Sequence, residues 1–249
     1  MAGPIDLKTL PDPVGAPTNL LPEKYRSAVE VANTLAAEKP APEKPRTFQE
    51  VLRDTVRPDP AVVQDALDAP NSQSRLLTPN PQSLPQNYSL PKLIDQLKEF
   101  EGVRVKPYKD SLGIETIGVG RNLVHKGFSK DEMSFLLGSR PTRDFNQEPL
   151  TKFETDALLM NDIREAEASL DQTVPWWRNL SETRQRVLLD MRFNLGEKNF
   201  LGFKKALGAV QVGDYKNAAL EMLHSKWATQ VGRRARVLAA WMFLGKEEA

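Results

Sequence analysis

Apolar residues recur at helical spacing through most of the chain after residue 88. Ser89 suits a helix N-cap and Gly102 suits a helix end. Between them, the apolar side chains follow an i, i+3, i+4, i+7 pattern, made by Leu90, Leu93, Ile94, Leu97 and Phe100. The pattern predicts an amphipathic helix that ends at Glu101.

Further helical patterns follow after residue 128. Thr151 and Glu154 form a capping-box motif before a helix predicted at 152–170. Another helix is predicted from Ser181 to Gly196. The same reasoning predicts helices at 202–211, 215–223 and 234–244.

The segment between Val103 and Val119 breaks the helical pattern. Val103 to Lys106 alternates apolar and basic residues, and 114–119 supplies a partner strand. Asp110 and Gly113 suit the first and last positions of a type I turn between them. One small β element among many helices predicts an α+β fold.

Composition divides the chain near residue 90. Residues 1–91 hold 15 of the 19 prolines but only two of the 14 glycines and no tryptophan. We therefore expect an extended arm or linker over 1–88, with short helices at 22–38, 47–57 and 60–69, and a folded domain over 89–249. The arm's helices either bind a partner protein or form transiently in a disordered tail.

Composition also excludes several functions. The chain has no cysteine, and its two histidines are far apart, which argues against a metal site. The net charge of +1 argues against a dedicated nucleic-acid binder. No apolar run is long enough to span a membrane, and the first residues show no secretory signal.

Two carboxylates and a hydroxyl near the predicted hairpin are candidates for catalysis. The partial negative charge of a helix C-terminus opposes ionisation of Glu101, which favours a general acid. Asp110 lies on a polar turn and is expected to stay ionised as a base, with Thr116 holding a water molecule. Such a pair suits glycoside hydrolysis. On spacing alone, a solvated Glu, a turn-forming Asp and a strand Thr remain alternatives.

The run KEFEGVRVKPYKDSLGIETIGVGRNL (98–123) resembles the active-site segment of phage-type (T-even) lysozymes. That family's pattern is Glu, eight residues, Asp, five residues, Thr and then Ile-Gly-Ile/Val-Gly, which Glu101, Asp110, Thr116 and 117–120 match. The resemblance extends over roughly 90–245 through segments at 150–159, 191–203 and 225–237.

The resemblance implies a two-lobed fold, with a small β-hairpin lobe, a larger helical lobe and a saccharide cleft between them. It implies a muramidase that cleaves the β-1,4 bond between N-acetylmuramic acid and N-acetylglucosamine, by inversion and without a metal or cofactor. By matched position it places substrate-binding residues at Phe193, Asn194, Trp227 and Arg234, with Arg233 as the alternative to Arg234. Phe193 and Trp227 could instead pack in the core, and Arg234 could instead be a solvated surface cation.

One position departs from the family pattern. Arg121 stands where the family usually has a histidine. In the family that histidine is similar to a structural residue that forms a buried ion pair with an Asp. The arginine either keeps that pairing, at every pH, or points into the cleft as a substrate-binding residue.

The long N-terminal segment favours a virion enzyme. We expect residues 1–88 to bind phage tail or baseplate proteins, so that the enzyme opens the host cell wall during infection. The alternatives are a soluble endolysin, present in the host cytoplasm before lysis, and a weakly active structural component of the virion.

Overall fold

The computed structural model describes residues 23–38, 88–110 and 113–247, which belong to one compact unit. Its elements, in chain order, are α1 (Arg26–Ala36), α2 (Leu90–Glu101), β1 (Arg104–Lys109), β2 (Glu115–Gly118), β3 (Arg121–Asn122), α3 (Lys130–Leu137), α4 (Lys152–Thr173), α5 (Glu182–Leu201), α6 (Lys204–Gln211), α7 (Tyr215–Leu223), α8 (Lys226–Val231) and α9 (Arg233–Leu244). Short 3₁₀ turns at Glu23–Tyr25 and Pro175–Asn179 precede α1 and α5. The fold is α+β, as predicted.

The small lobe contains the sheet, whose strand order is β1-β2-β3 with antiparallel pairing throughout. Its core is made of Ile117, Leu136, Leu150 and Leu158. The prediction found β1 and β2 but missed β3, because a strand of two residues is too short to show an alternating pattern.

The long helix α4 joins the two hydrophobic cores. Leu158 packs into the small-lobe core, whereas Leu159 and Ile163 pack into the larger core. Adjacent residues on a helix point about 100° apart, so one helix can serve both lobes. The capping box at its start is formed as predicted, with Thr151 and Glu154 each accepting the other's backbone N–H.

The larger core is built mainly by helices α4 to α9. Along α5, Gly196 has φ of +71°, a conformation that glycine adopts readily and that interrupts the helix. The predicted helix end at Gly196 corresponds to this kink. The last helix, α9, is the most buried, with Val237, Leu238 and Ala239 fully inside.

Residues 23–38 lie outside the domain predicted over 89–249, but they pack into its core. Tyr25, Ala28, Val29, Ala32 and Leu35 form the apolar face of this segment, and all five are buried in the larger core. The predicted helix is therefore present, but this chain's own domain covers its apolar face, and no partner protein is needed for that. The predicted helices at 47–57 and 60–69 lie outside the described residues.

Candidate active site

Glu101 is the last residue of α2, as predicted. Leu93 and Leu97 anchor the helix in the larger core, and Ser89 occupies its N-cap. Gly102, with φ of +74°, ends it. The helix thus holds the Glu101 side chain, which is 10% exposed, at a fixed position beside the sheet.

Asp110 and Thr116 are brought to one face of the sheet by the pairing of β1 with β2. Tyr108 pairs with Thr116 and Lys109 with Glu115. Asp110 follows β1, and its backbone N–H donates to the Ile114 carbonyl at 2.9 Å. Because side chains alternate along paired strands, Asp110 and Thr116 share a face, opposite to that of the core residue Ile117.

Backbone groups orient both side chains. Asp110 Oδ1 accepts the Ile114 N–H at 2.9 Å, and Thr116 Oγ1 donates to the Ile114 carbonyl at 3.1 Å. The Thr116 hydroxyl proton is thereby used, so its oxygen lone pairs are the groups that can accept a hydrogen bond from water.

The turn between β2 and β3 lies against the Glu101 carboxylate. Gly120 has φ of +69°, and a Cβ at this position would lie only 2.6 Å from Glu101 Oε2. Only glycine therefore fits here without displacing the carboxylate. This close approach joins the sheet that carries Asp110 and Thr116 to the helix end that carries Glu101.

The other carboxylate oxygen, Glu101 Oε1, contacts the helical lobe. Arg234 Nη1 lies 2.5 Å from it, and Asn194 Nδ2 donates to it at 3.3 Å. Trp227 Nε1 in turn donates to Asn194 Oδ1 at 2.9 Å, which fixes the orientation of the amide. The structure thus brings Asn194 and Arg234 to Glu101 directly, and Trp227 through Asn194.

The positions of the two aromatic residues favour packing roles. Trp227 is buried and meets Phe203 edge to face at 5.8 Å between ring centroids, and Phe193 packs on the larger core. Arg233, the alternative to Arg234, instead pairs with Glu99 at 3.7 Å and lies over the Tyr25 ring.

Arg121 is buried in the small lobe and keeps the ion pairing. It contacts Glu132 at 2.6 Å and Asp162 at 3.1 Å, and its Nε donates to the Gly127 carbonyl at 2.9 Å. These bonds direct the guanidinium into the protein, so we assign Arg121 a structural role instead of the expected substrate-binding one.

Sequence reasoning missed Asp190 and Gln96. Asp190 is fully buried on α5, where it accepts from Arg234 Nε at 2.7 Å and from Gln96 Nε2 at 2.7 Å. Burial raises the pKa of Asp190, and the charge of Arg234 opposes that rise. The detectable signal was a single acidic residue inside the apolar run Val187–Met191.

The described ranges contain no cluster of three or more His, Asp or Glu side chains arranged to hold a metal ion. Within those same ranges, no helix is long and apolar enough to cross a membrane.

Comparison with known proteins identifies the family. The Phage lysozyme family model matches residues 98–240. Two probable T4-type lysozymes of Dictyostelium discoideum are similar: number 1 is 29% identical over 148 residues (57% of this chain, 87% of the relative), and number 2 is 31% identical over 158 residues (60% and 92%). The pre-baseplate central spike protein Gp5 of Enterobacteria phage T4 is 30% identical over 186 residues (71% of this chain, 32% of Gp5). The chain belongs to the phage lysozyme family and is a glycoside hydrolase.

Proposed function

We propose that this enzyme is a muramidase that hydrolyses the β-1,4 bond between N-acetylmuramic acid and N-acetylglucosamine in peptidoglycan. The observation that carries the proposal is the placement of Glu101, largely buried at a helix end, against the β2–β3 turn of the sheet that carries Asp110 and Thr116. Glycoside hydrolysis requires one carboxyl group that protonates the leaving oxygen and a second that activates water.

In this mechanism Glu101 donates its proton to the glycosidic oxygen as the bond from that oxygen to the anomeric carbon breaks. A water molecule bound by Asp110 and Thr116 attacks the same carbon, and Asp110 takes the proton that the water loses. The shared sheet face of Asp110 and Thr116 supports this role, since one water molecule can bind both side chains. Attack by water in a single step inverts the anomeric configuration.

The Glu101→Gln variant tests the proposed acid. An amide has nearly the same shape but cannot donate the catalytic proton, so turnover is expected to fall by about 10² to 10⁴. The matched control is Glu115→Gln, the same change at an exposed carboxylate of β2, which should retain activity. Turnover of Glu101→Gln within a few-fold of this control would refute the assignment.

Product analysis tests the bond and the stereochemistry. Digestion of purified peptidoglycan should release fragments with N-acetylmuramic acid at the reducing end, detectable by mass spectrometry after borohydride reduction. Reducing ends of N-acetylglucosamine would instead define a glucosaminidase. Proton NMR of the first product anomer should show inversion, and retention would exclude direct attack by water.

We also infer that the protein is carried in a phage baseplate. The similarity to Gp5, which is named as a pre-baseplate spike protein, supports this. Because 71% of this chain is about 177 residues and 89–249 holds only 161, the match to Gp5 includes residues before 89. The similarity therefore extends beyond residues 98–240, which the lysozyme family model matches.

Mass spectrometry of purified particles tests the virion location. We expect the protein in particles at a fixed ratio to the tail proteins. Detection in the host lysate alone, with none in particles, would favour the soluble endolysin instead. Presence in particles together with a wild-type activity no higher than that of Glu101→Gln would favour the structural component.

A further inference from the structure

A chain of buried polar side chains extends inward from the Glu101 carboxylate. Arg234 contacts Glu101 through Nη1 at 2.5 Å and Asp190 through Nε at 2.7 Å, so one guanidinium bridges two carboxylates. The exposed fraction falls from 10% at Glu101 to 6% at Arg234 and 0% at Asp190. These charges therefore interact with little screening by solvent.

Arg234 alone would oppose the proposed role of Glu101. A guanidinium in contact with a carboxylate favours the ionised form, whereas a general acid must hold a proton. The second carboxylate changes this balance. When Glu101 is protonated, the Arg234 and Asp190 charges cancel. Ionisation of Glu101 would place two negative carboxylates around one guanidinium, so Asp190 makes that ionisation less favourable.

Hydrogen-bond geometry indicates that Asp190 is ionised. Arg186 Nη1 donates to Gln96 Oε1 at 2.6 Å, and arginine has no acceptor, so the Gln96 amide is oriented with its Nε2 toward Asp190. Both oxygens of Asp190 therefore accept N–H hydrogen bonds, one from Gln96 and one from Arg234. A carboxylate satisfies both bonds better than a carboxylic acid does.

We propose that Asp190 is a positioning residue for the catalytic acid: it holds Arg234 in place and offsets its charge, so that Glu101 keeps its proton at the pH of catalysis. This inference rests on the proposed role of Glu101.

The other groups around Glu101 and Arg234 do not supply the negative charge that Asp190 provides. Glu101 is met from α5 by the neutral Asn194 and from the sheet by Gly120. The Tyr25 hydroxyl lies near Asp190, but burial raises the pKa of Tyr25, so it is neutral during catalysis. Further charges are Arg186, which bonds Gln96 and contacts Glu247, and Glu99 with its partner Arg233.

The Asp190→Asn variant tests the proposal through the pH dependence of turnover. Initial rates on soluble peptidoglycan fragments at saturation are measured across pH, because the alkaline limb of this profile reports loss of the acid's proton. Removing one negative charge that acts across a single guanidinium should move this limb by about one pH unit toward lower pH. A loss of packing alone would lower the rate without moving the limb.

Asp162→Asn is the matched control. Asp162, on α4, is also a buried carboxylate paired with an arginine, the small-lobe residue Arg121, and Lys126 lies 2.6 Å from it as well. The same change there should lower stability and leave the alkaline limb in place. An unmoved limb in Asp190→Asn, or an equal shift in both variants, would overturn the proposal.

A double variant covers the case in which Asp190→Asn does not fold. In Asp190→Asn with Arg234→Gln the two opposite charges are removed together, so the alkaline limb is expected close to that of the wild type. A displacement of about one pH unit or more would refute the charge argument. The Glu101→Gln variant distinguishes the two levels: if it stays active, the proposed function fails as well, and if it is inactive, only the role of Asp190 is in question.

Discussion

Tyr25→Ala should destabilise the lysozyme domain, although Tyr25 lies far outside the region that the family model matches. The Tyr25 ring is 3% exposed and stacks on Phe100, and it contacts Trp241, with 5.9 Å between the ring centroids in each case. Its hydroxyl donates to Glu99 at 2.8 Å. The substitution therefore leaves a cavity between α1, α2 and α9.

The expected loss follows from the size of the removed side chain. Truncation of a buried aromatic residue to alanine costs about 3 to 5 kcal/mol, a large part of the roughly 5 to 15 kcal/mol that stabilises a typical domain. Urea unfolding should show the loss as a lower midpoint with an unchanged slope. Glu30→Ala, on the exposed face of α1, is the control and should change stability by less than about 0.5 kcal/mol.

A Tyr25→Ala midpoint equal to that of Glu30→Ala would show that α1 is not packed on the domain in solution. The prediction of an extended arm over 1–88, separate from a folded domain over 89–249, would then stand. Deletion of residues 1–38 provides a second test, because it removes the whole apolar face of α1 and should cost at least as much as Tyr25→Ala.

Two further variants test the site and the acid stability. Gly120→Ala should lower turnover by about 10², because its Cβ would displace the Glu101 carboxylate. The control is Gly213→Ala, also at positive φ but with nothing within 4 Å of the added Cβ, which should affect stability alone. Equal turnover in both variants would contradict the close approach of Gly120 to Glu101. Hydrogen bonds from Arg143 lower the pKa of Glu154 to about 2, so the stability from this pair is complete above about pH 5 and is lost as the pH falls toward 2. Between pH 7 and pH 3 the wild type should lose about 2 kcal/mol more than Glu154→Gln in urea unfolding, and an equal loss would contradict this.

Elements with strong local signals were predictable from the sequence. Helix α2 follows from a capped apolar pattern, and the hairpin follows from a change of period with turn residues between its strands. These signals arise within about a dozen residues, so they are visible without knowledge of the fold. β3 and the six-residue helix α8 are too short to carry a period.

The candidate site was predictable in part. Glu101, Asp110 and Thr116 lie in one short stretch made of a helix end and the hairpin that follows it, so the sequence presents all three together. The contact of Arg234 with Glu101 joins residues 133 positions apart, and the family resemblance suggested only that Arg234 binds substrate. Asp190 was missed because an acidic residue in an apolar run does not reveal which cation neutralises it.

The misplacement of α1 has the same physical cause. An amphipathic pattern shows that one face of a helix must be buried, because exposed apolar area is unfavourable in water, but it carries no information about what covers that face. A buried carboxylate likewise requires a counter-charge without specifying it. For α1 the covering surface is α7 and α9, and for Asp190 the counter-charge comes from α9, 44 residues later in the chain. Both contacts meet beside Glu101, since Tyr25 packs against Phe100 and Arg233, the residues just before Glu101 and Arg234. Residues 23–38, which composition assigns to the arm, therefore help to support the helix end that carries the proposed acid, Glu101.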